Sequence, residues 1–192
     1  MKLILTRHGE TEENKAGIMQ GHLPGTLSEL GREQAKRVAE RLKDVHIDKI
    51  YSSDLRRAAE TAKEIAKHHD CPIEFTEELR ERDIGEYSGK KKTEVGLDLS
   101  KCISELSPKD SEAIDRLVKR AKRFLQQIME AHKDETILVV GHNVINRGLI
   151  GNITNKTIDD AGRMGNTAIT IFEIEEKNHK IIIDNCTAHL EQ

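Results

Sequence analysis

A chain of 192 residues, 36% hydrophobic and 34% charged, holds enough apolar material for one core, and no apolar run approaches the roughly 20 residues that a bilayer span needs. A formal net charge of −3 and an aromatic content of 3% supply neither the basic field nor the stacking rings of a nucleic-acid binder. The N-terminal apolar stretch is too short for a secretory leader, and Cys71, Cys102 and Cys186 have no paired spacing, so they read as packing residues rather than as a disulfide framework or a zinc site. These features lead us to expect a single cytoplasmic domain over residues 1–192.

In chain order, Leu3 to Thr6 is β-prone and gives a first strand ending at Arg7-His8, followed by a loop. From Ser28, a plausible N-cap, the residues Leu30, Ala35, Val38, Ala39 and Leu42 recur at helical spacing and predict a helix to about Lys43. Ile47 to Ser52 reads as a second strand. Ser53 or Asp54 can cap the next helix, whose stripe is Leu55, Ala58, Ala59, Ala62, Ile65 and Ala66. Pro72 to Phe75 is a weaker strand, and the charged, glycine-punctuated run from Glu78 to Gly89 reads as a functional loop. A short helical insertion is expected at about 90–108.

The strongest helix pattern follows Ser111, through Ile114, Leu117, Val118, Ala121, Leu125, Ile128 and Met129. Thr136 to Val140 is apolar without alternation, as in a strand covered on both faces of a parallel sheet. Gly141-His142-Asn143 leaves it for a short helix through Ile150. Thr167 to Ile174 and Lys180 to Ile183, around a turn near residues 177–179, predict an edge hairpin. The expected fold is a three-layer α/β sandwich, its sheet mostly parallel with helices on both faces.

In such a sheet the carboxyl ends of the strands meet at one crevice. The rule gathers Arg7, His8, Arg57 and His142 from distant parts of the sequence onto what should be a surface crevice. Two guanidinium forks suit an oxyanion, above all a phosphoryl group. A neutral His8 could attack phosphorus while Arg7, Arg57 and His142 stabilise the equatorial oxygens. The leaving oxygen needs a proton, which Glu81 or Glu86 could supply, and spacing does not choose between them. A zinc hydrolase is the rival reading, but two arginines would repel a dication and no HExxH spacing occurs. A non-catalytic phospholigand module would lose the nucleophile or the acid, and this chain keeps both.

Leu5-Thr-Arg-His-Gly-Glu-Thr11 resembles the signature of the histidine phosphatase superfamily. The same family order is seen in Asn14, Gln20-Gly21, Leu27 to Ala35, Ser52 to Ala62, Leu79 to Gly85 and Val140-Gly-His142. The resemblance implies that His8 accepts the phosphoryl group, that Arg7, Arg57 and His142 form the phosphate pocket, and that Glu81 rather than Glu86 is the proton donor. It also implies that Asn14, Gln20 and Gly21 line the phosphate end, beside Asn143. Many relatives carry glycine at that last position. The insertion would shape the substrate pocket, and the C-terminal Asn185 to Leu190 is loosely similar to small phosphatases of the α-ribazole type. The expected activity is hydrolysis of a small phosphorylated metabolite with no metal and no cofactor; mutase-type transfer is the alternative, and a homodimer is left open.

Overall fold

The computed structural model describes residues 1–95, 103–175 and 178–191. Cys102, the middle of the expected insertion and Lys177 of the expected turn lie outside them.

Among the described residues, six strands form one sheet: β1 (Lys2–Arg7), β2 (Lys49–Ser53), β3 (Ile73–Thr76), β4 (Thr136–Gly141), β5 (Ile169–Ile174) and β6 (His179–Cys186). Their spatial order is β3-β2-β4-β1-β5-β6. The four strands β3, β2, β4 and β1 are mutually parallel, while β5 runs antiparallel to β1 and pairs with β6 as the expected hairpin. The helices are α1 (Glu12–Lys15), α2 (Glu29–Leu42), α3 (Arg56–Ala66), α4 (Ile114–Ala131) and α5 (Asn143–Thr154).

Strand periodicity divides the core. Ile4, Ile50, Leu138 and Val140 face α2 and α3, where Val38, Leu42, Ala58, Ala62 and Ile65 meet them. Leu3, Leu5, Ile137 and Val139 face α4 and α5, against Leu117, Ala121, Leu125, Ile145 and Leu149. With both faces covered, β4 has no solvent side and shows no polar alternation. Each fully buried Leu or Ile contributes about 1.5–3 kcal/mol.

Three local expectations are corrected. Leu30 belongs to no buried stripe; it is 53% exposed, because α2 turns Ala35, Val38, Ala39 and Leu42 inward instead. Neither Ser53 nor Asp54 caps α3, whose N-cap is Leu55 without a side-chain bond. Asp54 is engaged by Arg80, which donates from Nε and Nη2 at 2.5–3.1 Å, and so anchors the acidic loop to the end of β2. In the stretch read as a loop after β1, Thr11 and Asn14 form a reciprocal capping box for α1. Ser28 does cap α2, accepting from Gly31 N at 2.9 Å and donating to Glu10 Oε1 at 2.8 Å. A Cβ at Gly31 would lie 1.8 Å from the Glu10 carbonyl oxygen, so only glycine lets α2 back onto the segment after His8. At the insertion, the described part contains one turn of 3₁₀ helix at Ile103–Glu105.

Candidate active site

The carboxyl ends of β1, β2 and β4 bring the anticipated side chains to one cavity of about 450 Å³. Arg7 ends β1, Arg57 lies in the first turn of α3, and His142 is the N-cap of α5. Arg7, His8, Asn14, Gln20, Gly21, Arg57, Glu81 and Asn143 all line the cavity. His142 is completely buried, with its ring centroid 5.1 Å from that of His8. His8 itself is only 2% exposed, which corrects the expectation of a surface residue: the crevice floor is part of the core.

Hydrogen bonds assign the two imidazoles opposite tautomers. The ring Nδ1 of His8 lies 2.7 Å from the Gly9 carbonyl, an acceptor, so Nδ1 carries the proton and Nε2 keeps its lone pair. Arg57 Nε–H donates to His142 Nδ1 at 3.2 Å, so that nitrogen is unprotonated and the proton sits on Nε2. His142 Nε2 is buried and has no partner among the described residues, as is Arg7 Nε. Two donors thus lack acceptors beside one nitrogen lone pair. An oxyanion satisfies both.

Electrostatics keep these rings neutral. Burial, followed by the charges of Arg7 and Arg57, holds His8 well below the ordinary histidine range. Burial and then Arg57 do the same to His142. Burial lowers Arg7 and Arg57 to about 10, which leaves both charged at neutral pH.

Arg57 also serves as a scaffold. Its Nη1 donates to the Leu23 and Pro24 carbonyls at 2.5 and 3.3 Å, and its Nη2 to the Gly21 carbonyl at 2.9 Å. The loop carrying Gln20 and Gly21 is thereby wrapped around one guanidinium. Gln20 Nε2 donates to Thr11 Oγ1 at 2.8 Å, and its Oε1 is buried without a partner among the described residues. Asn14 accepts from Thr11 N through Oδ1.

Geometry separates the two candidate acids. Glu86 is exposed and accepts from Lys109 N at 3.2 Å, outside the cavity lining. Glu81 lines the cavity and supplies the cap that His142 does not give to α5, accepting from Val144 N at 3.0 Å and Ile145 N at 3.3 Å. His22 Nε2 meets the Glu81 carbonyl oxygen at 2.9 Å and holds that loop against the Gly21 segment. Of the basic run Lys90 to Lys92, Lys92 alone reaches the cavity.

Several residues escaped the sequence reading. Asn166 Nδ2 donates to the His8 carbonyl at 2.9 Å, Thr61 Oγ1 accepts from Gly9 N at 3.2 Å, and Arg7 Nη1 donates to the Met164 carbonyl at 3.0 Å. Asn143 Oδ1 accepts from Met164 N at 3.2 Å, so this side-chain oxygen fixes a loop rather than facing phosphate. No pattern in the sequence marks residues 163–167; they reach the site because β5 runs antiparallel to β1 and begins where β1 ends. Arg82 is buried, with its guanidinium on the carbonyls of Ile103, Leu106 and Glu112. It holds the described end of the insertion, with Ile103 and Leu106, as a wall of the cavity.

A neutral, buried imidazole with a free lone pair, set between guanidiniums at the carboxyl ends of parallel strands, defines the class of enzymes that handle phosphoryl groups on histidine. The chain belongs to the histidine phosphatase superfamily (branch 1), whose model matches residues 3–187. It is 34% identical to a metal-independent phosphoserine phosphatase of Arabidopsis thaliana over 96% of this chain and 80% of that protein. Among solved structures, Bacillus stearothermophilus YhfR superposes with a TM-score of 0.91 at 31% identity, over 98% of both chains. A phosphoserine phosphatase of Entamoeba histolytica, solved with 3-phosphoglyceric acid, gives 0.86 at 30% identity, also over 98% of both chains.

Proposed function

We propose that this protein is a metal-independent cytoplasmic phosphatase that hydrolyses small phosphate monoesters through a phosphohistidine on His8. The observation that carries the reading is the pair of opposite tautomers. His8 Nε2 is a nucleophile that needs no base, and His142 Nε2–H is a donor for a phosphoryl oxygen.

The ester phosphoryl binds with its oxygens toward Arg7, the remaining N–H of Arg57, His142 and the side-chain amides of Asn14 and Gln20. His8 Nε2 attacks phosphorus, and the P–O bond to the alcohol breaks in line. Glu81 gives its proton to the departing oxygen. The vacated position admits water, Glu81 takes a proton from it, and attack on the phosphohistidine releases inorganic phosphate and restores neutral His8. Positive charge on Arg7 and Arg57 does the electrostatic work throughout. The names of the relatives make phosphoserine and 3-phosphoglycerate the first substrates to test.

The test is a panel of phosphate monoesters assayed after exhaustive chelation, with phosphate release and isomer formation measured separately. Phosphate release without isomerisation is expected. Activity that appeared only on adding a divalent ion would overturn the arginine-pocket mechanism, and isomerisation of 3-phosphoglycerate outrunning hydrolysis would make the protein a mutase.

A further inference from the structure

The cavity carries more positive charge than one phosphoryl group can use. Among the described residues, six cationic side chains line it (Arg7, Arg57, Arg82, Lys92, Arg147 and Arg163) against two carboxylates, Glu81 and Asp159. Arg7 and Arg57 serve the phosphoryl end. Arg82 is spent on three backbone carbonyls, and Arg147 pairs with Asp159 at 3.5 Å. The Arg163 guanidinium has no hydrogen bond or ion pair with any described residue, yet it lies close enough to Arg7 for its charge to oppose that of Arg7.

Arg163 is presented on a fixed piece of backbone. Its neighbour Met164 is held three ways: N–H to Asn143 Oδ1, carbonyl from Arg7 Nη1, and Sδ from Asn146 Nδ2. Its own carbonyl accepts from Asn185 Nδ2 at 3.2 Å, and the Gly165 N–H donates to Asn185 Oδ1 at 3.0 Å. Two neighbouring strands and α5 therefore fix where the side chain starts, while the guanidinium stays exposed at the cavity wall. A planar fork that springs from fixed backbone and has its five donors unspent on described residues, beside a predominantly positive lining, is suited to a carboxylate.

Taking the phosphatase reading as its base, we propose that Arg163 binds a carboxylate of the substrate, so that the enzyme selects phosphate monoesters carrying a carboxylate a few bonds from the ester oxygen. Asn143 is a positioning residue in this scheme. It occupies the turn after His142 and ties the Arg163 loop to the start of α5.

The experiment compares 3-phosphoglycerate with glycerol 3-phosphate, which differ by a carboxylate in place of a hydroxymethyl group. The measured quantity is the ratio of their kcat/KM values, in the wild type and in Arg163→Gln, Arg163→Lys, Asn143→Gly and Lys92→Gln. A charge-assisted hydrogen bond of this kind is worth roughly 1.5–3 kcal/mol, so the wild-type ratio should exceed about tenfold. It should fall by about tenfold in Arg163→Gln, chiefly through KM for 3-phosphoglycerate, recover in part in Arg163→Lys, and fall less in Asn143→Gly. A ratio unchanged in Arg163→Gln, or one that collapses only in Lys92→Gln, overturns the assignment while leaving the phosphatase reading intact. A wild-type ratio near one, or hydrolysis of neither ester while other monoesters of the panel are turned over, likewise overturns the assignment alone; failure on the whole panel overturns both.

Discussion

Replacing Arg57 with alanine should damage the fold as well as the chemistry, unlike the same change at its neighbour Arg56. Arg57 is 1% exposed, and its guanidinium makes four hydrogen bonds: to the Gly21, Leu23 and Pro24 carbonyls and to His142 Nδ1. Truncation leaves the Gly21 and Leu23 carbonyls and one ring nitrogen without their donor in a buried place, while Pro24 keeps the backbone N–H of residue 57 at 3.3 Å. Leaving three buried acceptors unsatisfied costs about 1–3 kcal/mol each, and part of this is returned because burying a guanidinium is itself unfavourable, for a net loss of about 3–5 kcal/mol. For a chain of this size each kcal/mol lowers Tm by about 2–4 °C, so Arg57→Ala should melt roughly 6–20 °C below the wild type. Arg56 is exposed and pairs with Glu60 at 2.7 Å across one turn of α3, an interaction worth about 0.3–0.5 kcal/mol. Arg56→Ala should therefore melt within about 2 °C of the wild type. Thermal unfolding followed by circular dichroism, with hydrogen exchange of residues 20–25, reads both effects. An Arg57→Ala protein as stable as Arg56→Ala, with that loop still protected, would refute the scaffold role.

Stability should decline on mild acidification. His8 and His142 are depressed by burial and by Arg7 and Arg57, so below about pH 6.5 the unfolded chain binds protons that the folded chain refuses. Stability is then lost as pH falls, by at most about 1.4 kcal/mol per pH unit for each ring. Urea midpoints at pH 7.5 and 5.5 should differ less in His8→Gln than in the wild type; equal differences would contradict neutral burial of His8. Glu81→Gln should lower alkyl phosphate turnover by about 10²–10⁴-fold and aryl phosphate turnover far less, because general acid catalysis matters most for a basic leaving oxygen. Equal losses on both esters would move proton donation to another group.

Much of this site was legible because parallel strands deliver their carboxyl ends to one place, whatever the distance in sequence. Arg7, His8 and His142 follow from that rule and from the apolar run of β4, which has no polar alternation to hide its ends. Arg57 was found by position and understood only by structure: its four bonds go to a loop more than thirty residues away and to His142, and no periodicity encodes them. Glu81 and Glu86 are equivalent as letters. They separate because one caps α5 and the other turns to Lys109. The residues missed, Asn166, Met164 and Arg163, precede a strand instead of following one. They reach the site because β5 runs antiparallel to β1, a sense that a predicted hairpin leaves undecided. Asp54 looked like a helix cap, yet the pairing with Arg80 wins, since a bidentate ion pair outweighs a single capping bond at the same carboxylate.

The central claim, that the phosphoryl group passes through His8, is tested most directly by rapid quenching of the enzyme with a phosphate ester labelled in its phosphoryl group. The account predicts a protein-bound phosphoryl adduct in the wild type that is labile to acid, appears before free phosphate, and is absent from His8→Ala. An adduct of normal yield in His8→Ala, or phosphate release by His8→Ala at the wild-type rate, would contradict it.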